Sequence, residues 1–99
     1  MIFPGDIATF SAEARAHVRW MHIRRDSVDL RSRMPAAQPG EPMLVLANVA
    51  TNVETKWGCD FLVVCGGRIG WVLDINDVEI ELISTMKPFV SAAEWERGE

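Results

Sequence analysis

The pair Gly66-Gly67 leads directly into Arg68-Ile69-Gly70-Trp71-Val72-Leu73, with Asn76-Asp77-Val78 close behind. Two consecutive glycines supply the positive φ angles of a tight hairpin turn at no steric cost. Phe61-Leu62-Val63-Val64-Cys65 before them and Arg68 to Leu73 after them therefore read as the two arms of one hairpin. Gly70, inside the second arm, marks a bend or a close approach of backbone. Beyond the polar turn Asp74-Ile75-Asn76-Asp77, the residues Val78, Ile80 and Leu82 alternate with Glu79 and Glu81, which predicts a closing strand with one wet, acidic face.

The same grammar extends upstream. Pro4-Gly5-Asp6 is a turn that launches a strand over Ile7 to Phe10. Met43 to Ala50 is continuously apolar, as expected of a strand buried on both sides or bent through a barrel. Between them lies an excursion and loop, residues 11–42. Ser11 is placed to cap a helical turn through Ala12-Glu13-Ala14-Arg15-Ala16, an extended stretch follows, and Ser32 to Pro42 reads as a loop. After Ile83 comes a tail, residues 84–99, broken at Pro88 and carrying a capping box from Ser91 to Glu94 that opens a short helix through Trp95. Strands separated by turns, without repeated strand–helix alternation, predict an all-β, five-stranded, strongly bent antiparallel barrel over residues 1–83. Its expected core is Ile7, Val45, Val63, Ile69, Val78, Ile80 and Leu82.

Ninety-nine residues make one domain, and 48% apolar with 24% charged residues match an ordinary globular chain. No apolar run approaches the ~20 residues of a membrane span. The start, Met1 to Asp6, lacks a basic region followed by an apolar one, so a cytoplasmic protein is expected. Cys59 and Cys65 suit a reducing compartment; on one strand they stand about 20 Å apart, beyond disulfide reach. The net charge of −4 is unevenly spread. Arg15, Arg19, Arg24, Arg25, Arg31 and Arg33 face only Asp26 and Asp29, whereas Asp74 to Glu99 holds seven acids against Lys87 and Arg97. Such asymmetry serves internal pairing, subunit pairing or a charged partner, with internal or solvated charge ranking first.

Gly67-Arg68-Ile69-Gly70-Trp71-Val72, a short polar turn and Val78 resemble the closing segment of Src-homology-3 (SH3)-like barrels. There a glycine hairpin leads through Gly-Trp-Val and one 3₁₀ turn to the last strand. Pro4-Gly5-Asp6-Ile7 is similar to the first strand of many small bacterial and phage barrels of this type. The resemblance implies a five-stranded SH3-like barrel, with the arginine-rich excursion inserted after strand 1 and a short C-terminal appendage. It does not imply a polyproline ligand: Leu73 stands where peptide-binding members place Pro after Trp-Val, and the chain holds no Tyr for the aromatic ridge of that groove.

Catalytic readings fare poorly. His17 and His22, five apart, point to opposite faces of a strand and lie about 140° apart on a helix, so they form no chelating pair. Cys59 or Cys65 with either histidine is a nucleophilic pairing of almost no specificity. Gly66-Gly67 joins two strands and opens no phosphate-binding helix, and the acids from Asp74 to Glu81 lack the spacing of a calcium loop. Neither enzyme activity nor a cofactor is expected. Binding potential is concentrated in the excursion, where Arg19, Trp20, Arg24 and Arg25 interleave guanidinium and aromatic groups. With Trp71 and Trp95 these form the candidate binding set. The composition suits phosphates and stacked bases, yet a sequence pI near 5.1 ranks a protein partner or self-association above nucleic acid. The last expectation is charge-assisted pairing of Arg19, Arg24 and Arg25 with Glu79, Glu81 or the tail acids, within one chain or between chains. The expected function is a non-catalytic protein-protein interaction module, similar to accessory or virion-assembly proteins of tailed phages. The alternative is a nucleic-acid-binding barrel using the arginine-rich excursion.

Overall fold

The computed structural model describes residues 2–25, 32–50 and 58–85. The elements run β1 (Asp6–Phe10), a 3₁₀ turn (Ala16–Arg19), β2 (Trp20–Met21), β3 (Met34–Pro35), β4 (Met43–Ala50), β5 (Cys59–Cys65), β6 (Arg68–Ile75) and β7 (Ile80–Thr85). Five strands form one antiparallel sheet in the order β6-β5-β4-β1-β7, and β2 and β3 form a second, two-stranded one. The all-β expectation holds, and no helix among the described residues is long and apolar enough to cross a membrane.

The sheet cannot lie flat. Its two outermost strands, β6 and β7, are consecutive in sequence and joined only by the turn Asn76–Glu79, closed by a 3.0 Å bond from the Glu79 N–H to the Asn76 carbonyl. Five flat strands at ~4.8 Å spacing would hold those edges about 19 Å apart, beyond what so short and folded a connection spans. Three register shifts supply the bending: Leu46 is the extra residue of β4 against β5, Ile83 that of β7 against β1, and β6 gains one residue opposite Asp60. Each bulge adds local twist and lets a strand turn a corner. The edges converge at the Asn76–Glu79 corner, but β6 and β7 share no ladder, so the described sheet is curled and open.

At the other end of the hairpin, Gly66 and Gly67 have φ of 57° and 74°, the pair of positive values a two-residue type I′ turn requires, and set Cys65 opposite Arg68. Inside the curl lie Ala8 and Phe10 of β1, Met43 and Val45 of β4, Phe61, Val63 and Cys65 of β5, and Val72 and Ile75 of β6. The excursion closes over them and contributes Val18, Met21, Ala36 and Ala37 to the same core. It is part of the fold's interior as well as its surface.

Several local expectations change. No helix follows Ser11 directly: residues 12–13 form a turn, and the only helical geometry among the described residues is the 3₁₀ turn over Ala16–Arg19. The Ser11 hydroxyl accepts from the Glu13 N–H and donates to the Val78 carbonyl at 2.6 Å, tying the excursion to the last turn instead of capping a helix. The expected loop from Ser32 contains β3. Met43–Ala50 is buried on one side only, because the bulge turns Leu46 and Val49 toward solvent. Of the expected core, Val45, Val63 and Ile80 are buried and Ile7 is half-buried. Ile69, Val78 and Leu82 are 58%, 62% and 50% exposed. Val78 sits in the turn that precedes β7, Ile69 belongs to the outer face, and Leu82 stands at the sheet's edge. Conversely Glu79, expected on a wet face, is 1% exposed, because the chain enters β7 only after it. Trp95, the capping box and the rest of the tail beyond Thr85 lie outside the described residues, as does the polar connection 51–57.

Ile80 packs beside Phe61 and Ile75 at the rim of an open cavity of about 500 Å³. Truncation to Ala is expected to cost about 2 kcal/mol, the low end for a buried aliphatic, since solvent already reaches that side. Chemical denaturation checks this: a loss under about half a kcal/mol would remove Ile80 from the core.

Candidate protein-interaction site

Three anchors fix the excursion to the sheet. The first is Arg15 with Glu79. The Arg15 backbone N–H and Nε–H donate to Glu79 Oε2 at 2.9 and 2.8 Å, and Nη2 donates to Oε1 at 2.7 Å. The Asn76 N–H adds a bond to Oε1 at 3.2 Å, and Arg15 Nη2 also reaches the Asp74 carbonyl at 2.9 Å. Burial by itself would raise the Glu79 pKa. The Arg15 hydrogen bonds, the two backbone donors and the Arg15 charge outweigh it and hold the carboxyl at about 2.

The second anchor is backbone. His22 and Trp71 exchange hydrogen bonds in both directions, at 2.8 and 2.7 Å, so the excursion extends the sheet past β6. Gly70 makes this approach possible: a Cβ there would lie 2.9 Å from the Met21 Cβ and 3.2 Å from the His22 carbonyl oxygen. The close approach expected at Gly70 is thus the seat of Met21, whose Sδ accepts from the Cys65 thiol at 3.5 Å.

The third anchor is Asp60, buried where β6 bulges. Its Oδ1 accepts the N–H of Asp74, a non-glycine residue at φ 56°, and its Oδ2 accepts Arg25 Nε–H at 2.7 Å. Arg25 Nη2 reaches on to the Ala50 carbonyl. Internal pairing therefore does occur, but through other partners than expected: Glu79 is taken by Arg15, and Arg25 by Asp60.

These anchors orient a surface. Alternation along Trp20-Met21-His22 sends Met21 into the core and the other two side chains to the opposite face, which also carries Trp71. Arg33 lies over the Trp20 ring, 4.3 Å from its centroid, a cation–π stack across the β2–β3 pair. Burial, and then the Arg33 charge, lower the His22 pKa, so this histidine is neutral at physiological pH. Toward the middle of the sheet the same face is apolar. Ile7, Leu44, Val64 and Ile69 stand opposite one another across β1, β4, β5 and β6, and Ala47, Leu62 and Trp71 form a second row. The solvent face of an antiparallel sheet is ordinarily polar; this one is not.

Of the candidate binding residues, Trp20 and Trp71 share this face. Arg24 is exposed beside the 63%-exposed Ile23 and makes no ion pair among the described residues. Arg19 leans on Gln38 at 3.2 Å, and Arg25 is tied down at Asp60. Arg33, Ile69 and the row from Ile7 to Val64 escaped the sequence reading. The signal of the apolar row is cross-strand pairing of Ile7, Leu44, Val64 and Ile69, visible only once the register is known. The cysteines are poor nucleophiles: burial, then the charges of Asp77 and Asp60, push the Cys59 thiol up, and burial also raises Cys65. No group of three or more metal-ligating side chains occurs among the described residues.

No family model matches the chain, and no curated protein or solved structure matches it significantly.

Proposed function

We propose that this protein is a non-catalytic protein-interaction module on an SH3-like barrel scaffold, and that it binds its partner with the outer face of the sheet. The scaffold reading draws support from the strand order, in which the last strand lies beside the first, and from the single turn that joins β6 to β7 behind Gly70-Trp71-Val72. The observation that carries the binding reading is the apolar outer face, Ile7–Leu44–Val64–Ile69 and Leu62–Trp71, with Trp20 stacked under Arg33. Interface centres are apolar and rich in Trp and Arg, whereas solvated sheet faces are not. The partner that fits presents an apolar centre bordered by carboxylates that meet Arg33 and Arg24. By the resemblance of Gly67 to Val72, an accessory or virion-assembly component of a tailed phage is the setting in which such a module acts.

Peptide display against the full chain tests this. Selected sequences should combine large apolar residues with Asp or Glu. Ile69→Lys should weaken their binding at least tenfold while leaving the melting temperature within about 2 °C, since Ile69 is largely exposed. Failure to select any peptide, or binding indifferent to Ile69→Lys, would overturn the reading. Tight binding of single-stranded oligonucleotides that collapses between about 50 and 200 mM salt would replace it with a nucleic-acid interface.

A further inference from the structure

The two edges of the five-stranded sheet are treated differently. The β6 edge is covered by the excursion, through the paired hydrogen bonds between His22 and Trp71. The β7 edge has no strand beside it among the described residues: β7 pairs with β1 on one side and ends the sheet on the other. Its sequence, Ile80-Glu81-Leu82-Ile83-Ser84-Thr85, contains no proline, lysine or arginine, the residues that commonly guard an edge against pairing. Every residue after Ile80 is exposed, with Leu82 and Ile83 at 50% and 49%. Beside this edge lies the open cavity lined by Ile80, Leu82, Phe61, Ile75, Ile2 and Asn48, where β6 and β7 fail to close.

We propose that this edge pairs with the same edge of a second copy of this chain, β7 against β7 in antiparallel fashion about a two-fold axis, so that the two sheets become one. This inference rests on the edge and not on the outer face. The strand itself argues for a second copy. An antiparallel pair about a two-fold axis is self-complementary by construction, and an axis through Ile83 sets it opposite Ile83 of the partner subunit, with the exposed Leu82 of each copy one residue from the centre. The same register sets Glu81 opposite Thr85 of the partner subunit, which keeps the two Glu81 carboxylates from facing each other directly. Ladder hydrogen bonds satisfy the row of free N–H and C=O groups, and the added strand covers the cavity mouth beside Leu82. The contact is apolar and backbone-made, so it tolerates salt.

Sedimentation equilibrium of the full chain over a range of concentrations, at about 50 and 500 mM salt, tests the proposal. A monomer–dimer equilibrium at both salts is expected, together with Leu82 and Ile83 amides whose hydrogen exchange slows as concentration rises. Leu82→Lys with Ile83→Lys, both at exposed positions, should shift the chain to monomer at least tenfold in dissociation constant while keeping the far-ultraviolet circular dichroism of the fold. Ile69→Lys, on the outer face, should leave the dimer intact, which separates this contact from the partner-binding face. A chain that stays monomeric at every concentration, or a dimer that survives the double lysine substitution with its spectrum unchanged, would overturn the proposal. Edge amides protected equally at all concentrations would also overturn it.

Discussion

Replacing Arg15 with Ala will destabilise the fold by about 3 kcal/mol. The substitution leaves the Glu79 carboxylate, 1% exposed, with one backbone donor from its own turn and a position-15 N–H no longer held in place. Losing one partner of a buried ion pair costs about 3–5 kcal/mol, because the surviving charge stays desolvated. The lower figure applies because the Arg15 side chain is itself 43% exposed and water can follow the substitution in. The same pair predicts acid sensitivity. Glu79 is held at about 2 when folded and titrates near 4.3 when unfolded, so its contribution is complete above about pH 5. It is lost as pH falls through the unfolded value toward 2, a decline of about 3 kcal/mol. Urea titrations at pH 7, 4 and 2.5 should show that slope in the native chain and a shallower one in Arg15→Ala. Adding Glu79→Gln to Arg15→Ala should cost less than the sum of the two single changes. Strict additivity would show that the two side chains act independently.

A second large effect is expected at Gly70. Valine there drives its Cβ to within 2.9 Å of the Met21 Cβ and toward the His22 carbonyl, and neither neighbour is the free end of a flexible chain. Overpacking of this kind costs about 1–3 kcal/mol, and displacing β2 also loosens the two His22–Trp71 bonds, each contributing about 1 kcal/mol. A total near 3 kcal/mol should appear in chemical denaturation. Hydrogen exchange gives the mechanism: the His22 and Trp71 amides should lose protection before those of Val63 and Val64. Retained protection at His22 would mean that the excursion is held by its ion pairs and not by this seat.

The difference between these effects and what the residues advertise is instructive. Gly66-Gly67 and Gly70 were legible because a glycine records a local requirement of its own backbone. The strands Met43–Ala50 and Phe61–Cys65 were legible because β-branched and apolar runs bounded by turns have few other uses. Glu79 was not legible: alternation with Val78 and Ile80 implies a solvated carboxylate, and its partner Arg15 lies 64 residues away. Asp60 was missed for the same reason, since its ligands are the Asp74 amide and Arg25, neither of them a sequence neighbour. The outer face was hidden by the bulges. A one-residue insertion inverts the facing of everything beyond it, and Leu46 and Ile83 do this twice. The excursion's two-residue strands have no period to read, so the stack of Arg33 on Trp20 follows only from their pairing.

The adjacency of β1 and β7 also sets the order in which this protein can be made. β1 is synthesised before every other described strand, yet one of its two partners spans Ile80–Thr85. At about 5–20 residues per second, that partner follows by roughly 4–15 s. Until then β1 can pair only with β4, the Ser11 amide has no Glu79 carbonyl to bond, and Arg15 has no carboxylate. The hairpin β5–β6, closed by Gly66-Gly67, forms from neighbouring residues and needs no such wait. Completion of this sheet is therefore a late event that links opposite ends of the described chain, a high-contact-order step that slows the folding of so small a sheet.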